Sequence, residues 1–157
     1  MVGFALGWIY GHLFEWAIHK YVLHSSRCKK KNNILSFHFL EHHSNARANN
    51  FTDSSYSGLP VNRDSAGKEA LSLLLVLIIH APLLYISKGF FLALMVSLAE
   101  YYYKHRKAHT NPEWARHNLS WHYEHHMCKD QDSNFGVRSD WVDVFLGTRK
   151  YTINNLK

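Results

Sequence analysis

Apolar and polar positions separate into three long apolar stretches, each bordering histidine-rich sequence. Residues 2–18 are apolar or small apart from His12 and Glu15, residues 70–86 carry no Asp, Glu, Lys or Arg, and residues 89–103 carry only Glu100. Such runs are too continuous for an amphipathic surface helix. A bilayer core of roughly 30 Å takes about 20 helical residues, with a lower range near 17. The second stretch just meets that length, and the third meets it by running on toward Lys104 and His105. The pattern predicts an all-α, membrane-embedded helical bundle in a single domain, 1–157, with apolar helices over about 2–24, 70–86 and 89–109.

Ser87-Lys88-Gly89 breaks the second stretch from the third and makes them a helical hairpin. Pro82 predicts a bend near its tip. Gly3, Gly7 and Gly11 form a small-xxx-small stripe that lets helices approach closely. Basic residues fix the orientation: the run 27–31, Arg47, Arg63, Lys68, Lys104, Arg106 and Lys107 lie on one side, and only Lys88 on the other. Positive residues mark the cytoplasmic side. In a chain of net charge +6, the basic run 27–31 then reads as a juxtamembrane patch touching anionic lipid; no nucleic-acid motif accompanies it.

Histidine changes the picture. Of 13 histidines, ten fall into four groups: His19 and His24; His38, His42 and His43; His105 and His109; His122, His125 and His126. All four lie on the predicted cytoplasmic face. Crowded imidazoles repel once protonated, whereas neutral imidazole is the commonest metal ligand. His122, His125 and His126 stand at i, i+3 and i+4, and His105 and His109 at i, i+4, so each set shares a helix face. His38 and His42 share a stripe, with His43 turned about 100° away. His19 and His24 lie about 140° apart on an ideal helix, so they serve two metals or the helix loosens there. Ten imidazoles exceed one ion's needs and suit two metals with positions left open. No Glu-x-x-His occurs, which excludes the ferritin-like carboxylate type. Glu15, Glu41, Glu100 and Glu124 sit beside the groups and are candidates to hold the rings by their second nitrogen. Cys28 and Cys128 lack zinc-ribbon spacing and read as free thiols. His80 reads as a hydrogen-bonded residue far from the histidine face, and His12 as buried in the bundle.

The boxes "EWAIHKYVLH" (15–24), "HFLEHH" (38–43), "HRKAH" (105–109) and "HYEHH" (122–126), with "NFGVRSDWVDVFLGT" (134–148) downstream, resemble the fatty acid hydroxylase superfamily, which includes sterol desaturases. The ending departs from that pattern: Val142 separates Trp141 from Asp143, and Leu146 precedes Gly147. The resemblance implies a non-haem di-iron oxygenase that hydroxylates or desaturates an unactivated C–H bond of a lipid-like substrate with O2; carotenoid hydroxylases are relatives in that class. It implies a dinuclear metal cap of two Fe ions, with Zn able to replace them in a preparation. The implied ligands are His19, His24, His38, His42, His43, His105, His109, His122, His125 and His126, with His117 in reserve and Asn134 joining the supporting glutamates. Electrons would come from a separate donor protein. Three spans instead of the usual four mean a compact bundle or completion by another subunit, as in a homo-oligomer. The competing reading is a non-catalytic membrane metal-binding or transport module, which should place its ligands along the span.

Overall fold

The structure is a computed structural model that describes residues 1–30 and 35–152. Lys31, part of the basic run, lies outside the described residues. Among those residues every regular element is helical.

Helix α1 (Val2–Ala17) passes without a break into a π-helical turn, π1 (Ile18–Leu23). A second π segment, π2 (Phe37–His43), leads into α2 (Ser44–Ala48). Then come α3 (Ser65–His80), the short α4 (Leu83–Ile86), α5 (Lys88–Thr110), α6 (Pro112–Asn118), α7 (Ser120–Met127) and α8 (Trp141–Phe145). Local chemistry sets the starts. The Asp64 carboxylate accepts from the Gly67 amide at 3.0 Å, and Ser87 Oγ from the Phe90 amide at 3.3 Å. Asn111 Oδ1 accepts from the Trp114 amide at 3.0 Å, with Pro112 opening α6. These are side-chain caps on otherwise orphaned amides.

The hairpin break falls at Ser87 alone, in extended conformation, and Lys88 and Gly89 already belong to α5. The Pro82 bend is a full interruption: α3 stops at His80 and α4 restarts at Leu83. Helices α1 and α5 form the closest pair and run parallel. A Cβ on Gly7 would lie 2.6 Å from the Phe90 carbonyl oxygen, and one on Gly11 would lie 2.5 Å from Ser97 Oγ. The glycine stripe is therefore the seam between these helices. Tyr10 and His80 stitch α3 to α1. Their Oη and Nε2 are 2.7 Å apart, and His80 Nδ1 donates to the Val76 carbonyl at 2.7 Å.

Among the described residues no helix is long and apolar enough to cross a membrane. The reason is local. With 16 residues, α3 rises roughly 24 Å at 1.5 Å per residue, short of a roughly 30 Å hydrocarbon core, and α1 has the same length before its backbone changes to π geometry at Ile18. Nearly half of the longer α5, from Glu100 to Thr110, is mostly polar.

Candidate metal centre

Two π turns bring the N-terminal histidines together. Where the backbone bonds i to i+5 instead of i+4, residues five apart come to one face. The His24 amide donates to the His19 carbonyl at 3.0 Å, and the two ring centroids are 4.9 Å apart. His38 and His43, also five apart, are related in the same way, with centroids 4.9 Å apart. The helix thus loosens at its end, and His43, not His42, partners His38.

The rings collect into two groups. Each of His19, His24, His38, His43 and His125 offers one nitrogen within 4.8 Å of the others, and so does each of His42, His105, His109 and His126. All nine are buried. His122, also buried, stands against the second group with Nε2 3.2 Å from His109 Nε2. Helix α7 feeds both groups, His125 to the first and His126 to the second.

Seven of the outer nitrogens face a partner, while Nδ1 of His122 and of His126 has none among the described residues. For the first group the partners come from a single loop. His19 Nδ1 donates to the Phe135 carbonyl (2.5 Å) and His125 Nδ1 to the Ser133 carbonyl (2.6 Å). His43 Nδ1 donates to Gln131 Oε1 (2.7 Å) and His24 Nδ1 to Asp132 Oδ1 (3.1 Å). For the second group they come from residues 51–69. His109 Nδ1 donates to the Phe51 carbonyl (2.8 Å) and His42 Nδ1 to Asp53 Oδ2 (3.0 Å), while His105 Nδ1 lies 2.7 Å from Glu69 Oε2. Such contacts fix the tautomer and turn Nε2 inward.

That orientation is the test of fit for a metal. His43 and His125 each carry the proton on Nδ1, so their Nε2 lone pairs face each other at 3.2 Å. His19 Nε2 lies 2.9 Å from His38 Nε2. Nε2 of His24, His42, His105 and His126 has no hydrogen-bond partner among the described residues. Buried polar atoms of native proteins are normally paired, and a cation between the rings satisfies all of them. Protons would not serve. Burial first, then the neighbouring imidazoles, push His38, His42, His122, His125 and His126 well below the ordinary imidazole range. Burial takes His43 down to about 3. The rings stay neutral and able to ligate.

The supporting residues named from sequence go elsewhere. Glu15 binds Arg138 Nε at 2.6 Å and the Val137 amide at 2.6 Å. Glu41 pairs with Lys68 at 2.5 Å, and Glu100 with Lys104 at 2.8 Å. Glu124 accepts from Arg149 at 2.5 Å and from the Thr152 amide at 2.7 Å. Asn134 Oδ1 accepts from the Lys150 amide at 2.7 Å. Adjacency misled here: on a helix the next residue points about 100° away. Glu15 and Asn134 instead brace the loop that supplies the first group's ring partners. His117 is no reserve ligand. It is exposed, 3.9 Å from Glu113 on the surface. His12 is buried between Trp8 and Trp141.

Sequence reasoning missed Asp53, Glu69, Gln131 and Asp132, which lie outside the boxes, and three carbonyl partners that no residue type encodes. Phe51 carries a signal visible only in the backbone. It adopts φ +76°, unusual for a bulky residue, with its ring stacked on His109 at 4.5 Å. Asp143, offset in the altered ending, is buried and accepts from the Phe135 and Gly136 amides at 2.9 and 2.7 Å.

No curated protein and no solved structure matches the chain significantly. A family model, described as fatty acid hydroxylase, matches residues 4–148, which takes in every box and the Asp143 segment. With nearly the whole chain covered and its histidines gathered in two buried groups, this protein belongs to the fatty acid hydroxylase family.

Proposed function

We propose that the protein is a di-iron oxygenase that hydroxylates or desaturates a lipid-like substrate at a membrane, taking electrons from a separate donor protein. The observation that carries this reading is the pair of imidazole groups with inward, unprotonated Nε2 atoms beside an apolar cavity. His19, His24, His38, His43 and His125 would hold one ion, and His42, His105, His109 and His126, with His122, the other. Iron bound there would supply the O2 activation needed to break an unactivated C–H bond.

The chain's own part is positioning and exclusion. The cavity has a volume of about 280 Å³ and is walled by Phe14, Leu73, Val76, Leu94 and Leu98, with His19 and His38 in its wall. A hydrocarbon lying there meets the first group of rings, and the apolar walls keep water from it.

Membrane embedding is supported by the surface. Leu6, Ile9, Leu71, Leu74, Ile78 and Ile79 are exposed, Ile79 at 72%. An apolar face on this scale marks a protein or membrane contact. The basic residues near the histidine end support a cytoplasmic placement of the centre.

The test is direct. Protein purified without O2 is loaded with iron, then given reductant, O2 and extracted cell lipids, and products are read by mass spectrometry. Oxidised lipid at two irons per chain is expected. Tight metal binding with no O2 consumed would overturn the reading in favour of sequestration.

A further inference from the structure

The cavity ends in a cluster of rings. On each of its three helices a ring lies just past the last lining residue, on the side away from the two histidine groups. Helix α1 lines the cavity with Gly11 and Phe14 and has Tyr10 behind them, α3 lines it as far as Val76 and then has His80, and α5 lines it from Leu94 with Phe90 one turn before. The Tyr10 ring is 5.7 Å from His80, 5.2 Å from Phe90 and 5.5 Å from Phe14, and Phe14 meets His80 edge-on at 5.1 Å. His80 Nδ1 donates to the Val76 carbonyl, so its Nε2 accepts from Tyr10 Oη at 2.7 Å. This clasp satisfies its own polar atoms, and a hydrocarbon can rest against it without burying an unpaired group.

The opposite end holds the chemistry. His19 and His38 line it, with Glu69, 2.7 Å from His105, and Tyr101, whose ring is 5.4 Å from that of His105. From Tyr101 to Leu94 on α5, and from Glu69 to Val76 on α3, the axial rise is about 10 Å at 1.5 Å per residue. An extended hydrocarbon advances about 1.25 Å per carbon, from bonds of about 1.52 Å at a tetrahedral angle, so about eight carbons separate the histidine end from the clasp. Leu75 lines the cavity and is 50% exposed, so a tail reaches it from the side. Lys20 and Lys104 adjoin His19 and His105, so the polar end of a lipid belongs there and its methyl end at the clasp.

We propose that the Tyr10–His80 clasp, with Phe14 and Phe90, is a stop for the methyl end of the substrate, so that the carbon brought to the histidine groups is counted from the methyl end and not from the headgroup. The proposal rests on reading this cavity as the substrate site.

The test reads depth without turnover. Protein in lipid nanodiscs is loaded with cobalt or with zinc, and the difference between the two gives the relaxation that the paramagnetic ion induces in a bound probe. The probes are the methyl esters of tetradecanoic, hexadecanoic and octadecanoic acid, each labelled with carbon-13 at the terminal methyl and at the eighth carbon from it. The ratio of the two enhancements does not depend on occupancy. A stop at the methyl end keeps that ratio the same for all three esters. A ratio that drifts with chain length, as anchoring by the headgroup requires, would overturn the proposal, and so would the absence of enhancement at both carbons. His80→Ala should let the tail sink deeper, shifting the ratio several-fold with cobalt content unchanged; an unshifted ratio in a variant that keeps its cobalt overturns the proposal. If His80→Ala loses cobalt, the wild-type length series decides. With iron, reductant and O2, the oxidised carbon should keep one count from the methyl end across the esters, and a fixed count from the ester carbonyl would again overturn it. A drifting ratio with lipid still oxidised leaves the oxygenase reading standing. A constant ratio with no oxidation leaves the stop standing without that reading.

Discussion

His42 and His43 are neighbours in the chain, yet their rings stand 5.9 Å apart at 86° and belong to different groups. His43 Nε2 lies 3.2 Å from His125 Nε2, while the His42 ring packs 4.4 Å from that of His109. The last turn of π2 therefore acts as a divider between two sites.

Single replacements at this divider should separate the sites. His43→Ala and His42→Ala are each expected to lose one of two metals per chain, read by elemental analysis of purified protein. Full metal content in both variants would remove these rings from the ligand set.

Asp53 is fully buried and holds His42 by Nδ1 at 3.0 Å. Asp53→Asn should weaken metal affinity about 10–100-fold, as loss of such an outer partner does. Glu41→Gln, in a part-exposed pair with Lys68, should change it little. Chelator competition reads both, and equal effects would refute the assignment of Asp53.

Acid should destabilise the metal-free protein. The ordinary imidazole value is 6.5, and burial holds His38, His42, His43, His122, His125 and His126 below it. Above 6.5 neither folded nor unfolded chain binds these protons. Below it the unfolded chain binds them first, so stability present at neutral pH drains away as pH falls. Each such ring contributes up to about 1.4 kcal/mol per pH unit. Denaturant midpoints at about pH 8 and pH 5.5 measure this, and coincident midpoints would contradict it.

Gly7 lets α1 and α5 touch. A Cβ there would lie 2.6 Å from the Phe90 carbonyl oxygen and 2.9 Å from Ala93 Cβ. Gly7→Ala forces the helices apart and should cost about 1–3 kcal/mol. Gly58→Ala, where a Cβ meets nothing within 4 Å, should leave the thermal midpoint unchanged. The same midpoint for both variants would argue against the seam.

The sequence made the histidine boxes, the hairpin and the glycine seam legible because each is a local spacing on a helix. It did not reveal how the boxes divide between sites. An α-helical period pairs His38 with His42, whereas the π turn pairs His38 with His43, and nothing in the residue types announces that change of pitch. The outer partners were hidden for another reason. Phe51, Ser133 and Phe135 contribute carbonyls, which every residue has, and Asp132 reaches His24 across 108 positions.

The loop that steadies the first group comes late in the chain, with the Phe135 carbonyl against His19 across 116 positions. A ribosome must therefore synthesise past residue 135 before that site can close. Until then the early imidazoles of the nascent polypeptide lack the partners that turn them inward, and the geometry of the site belongs to the end of synthesis or after it.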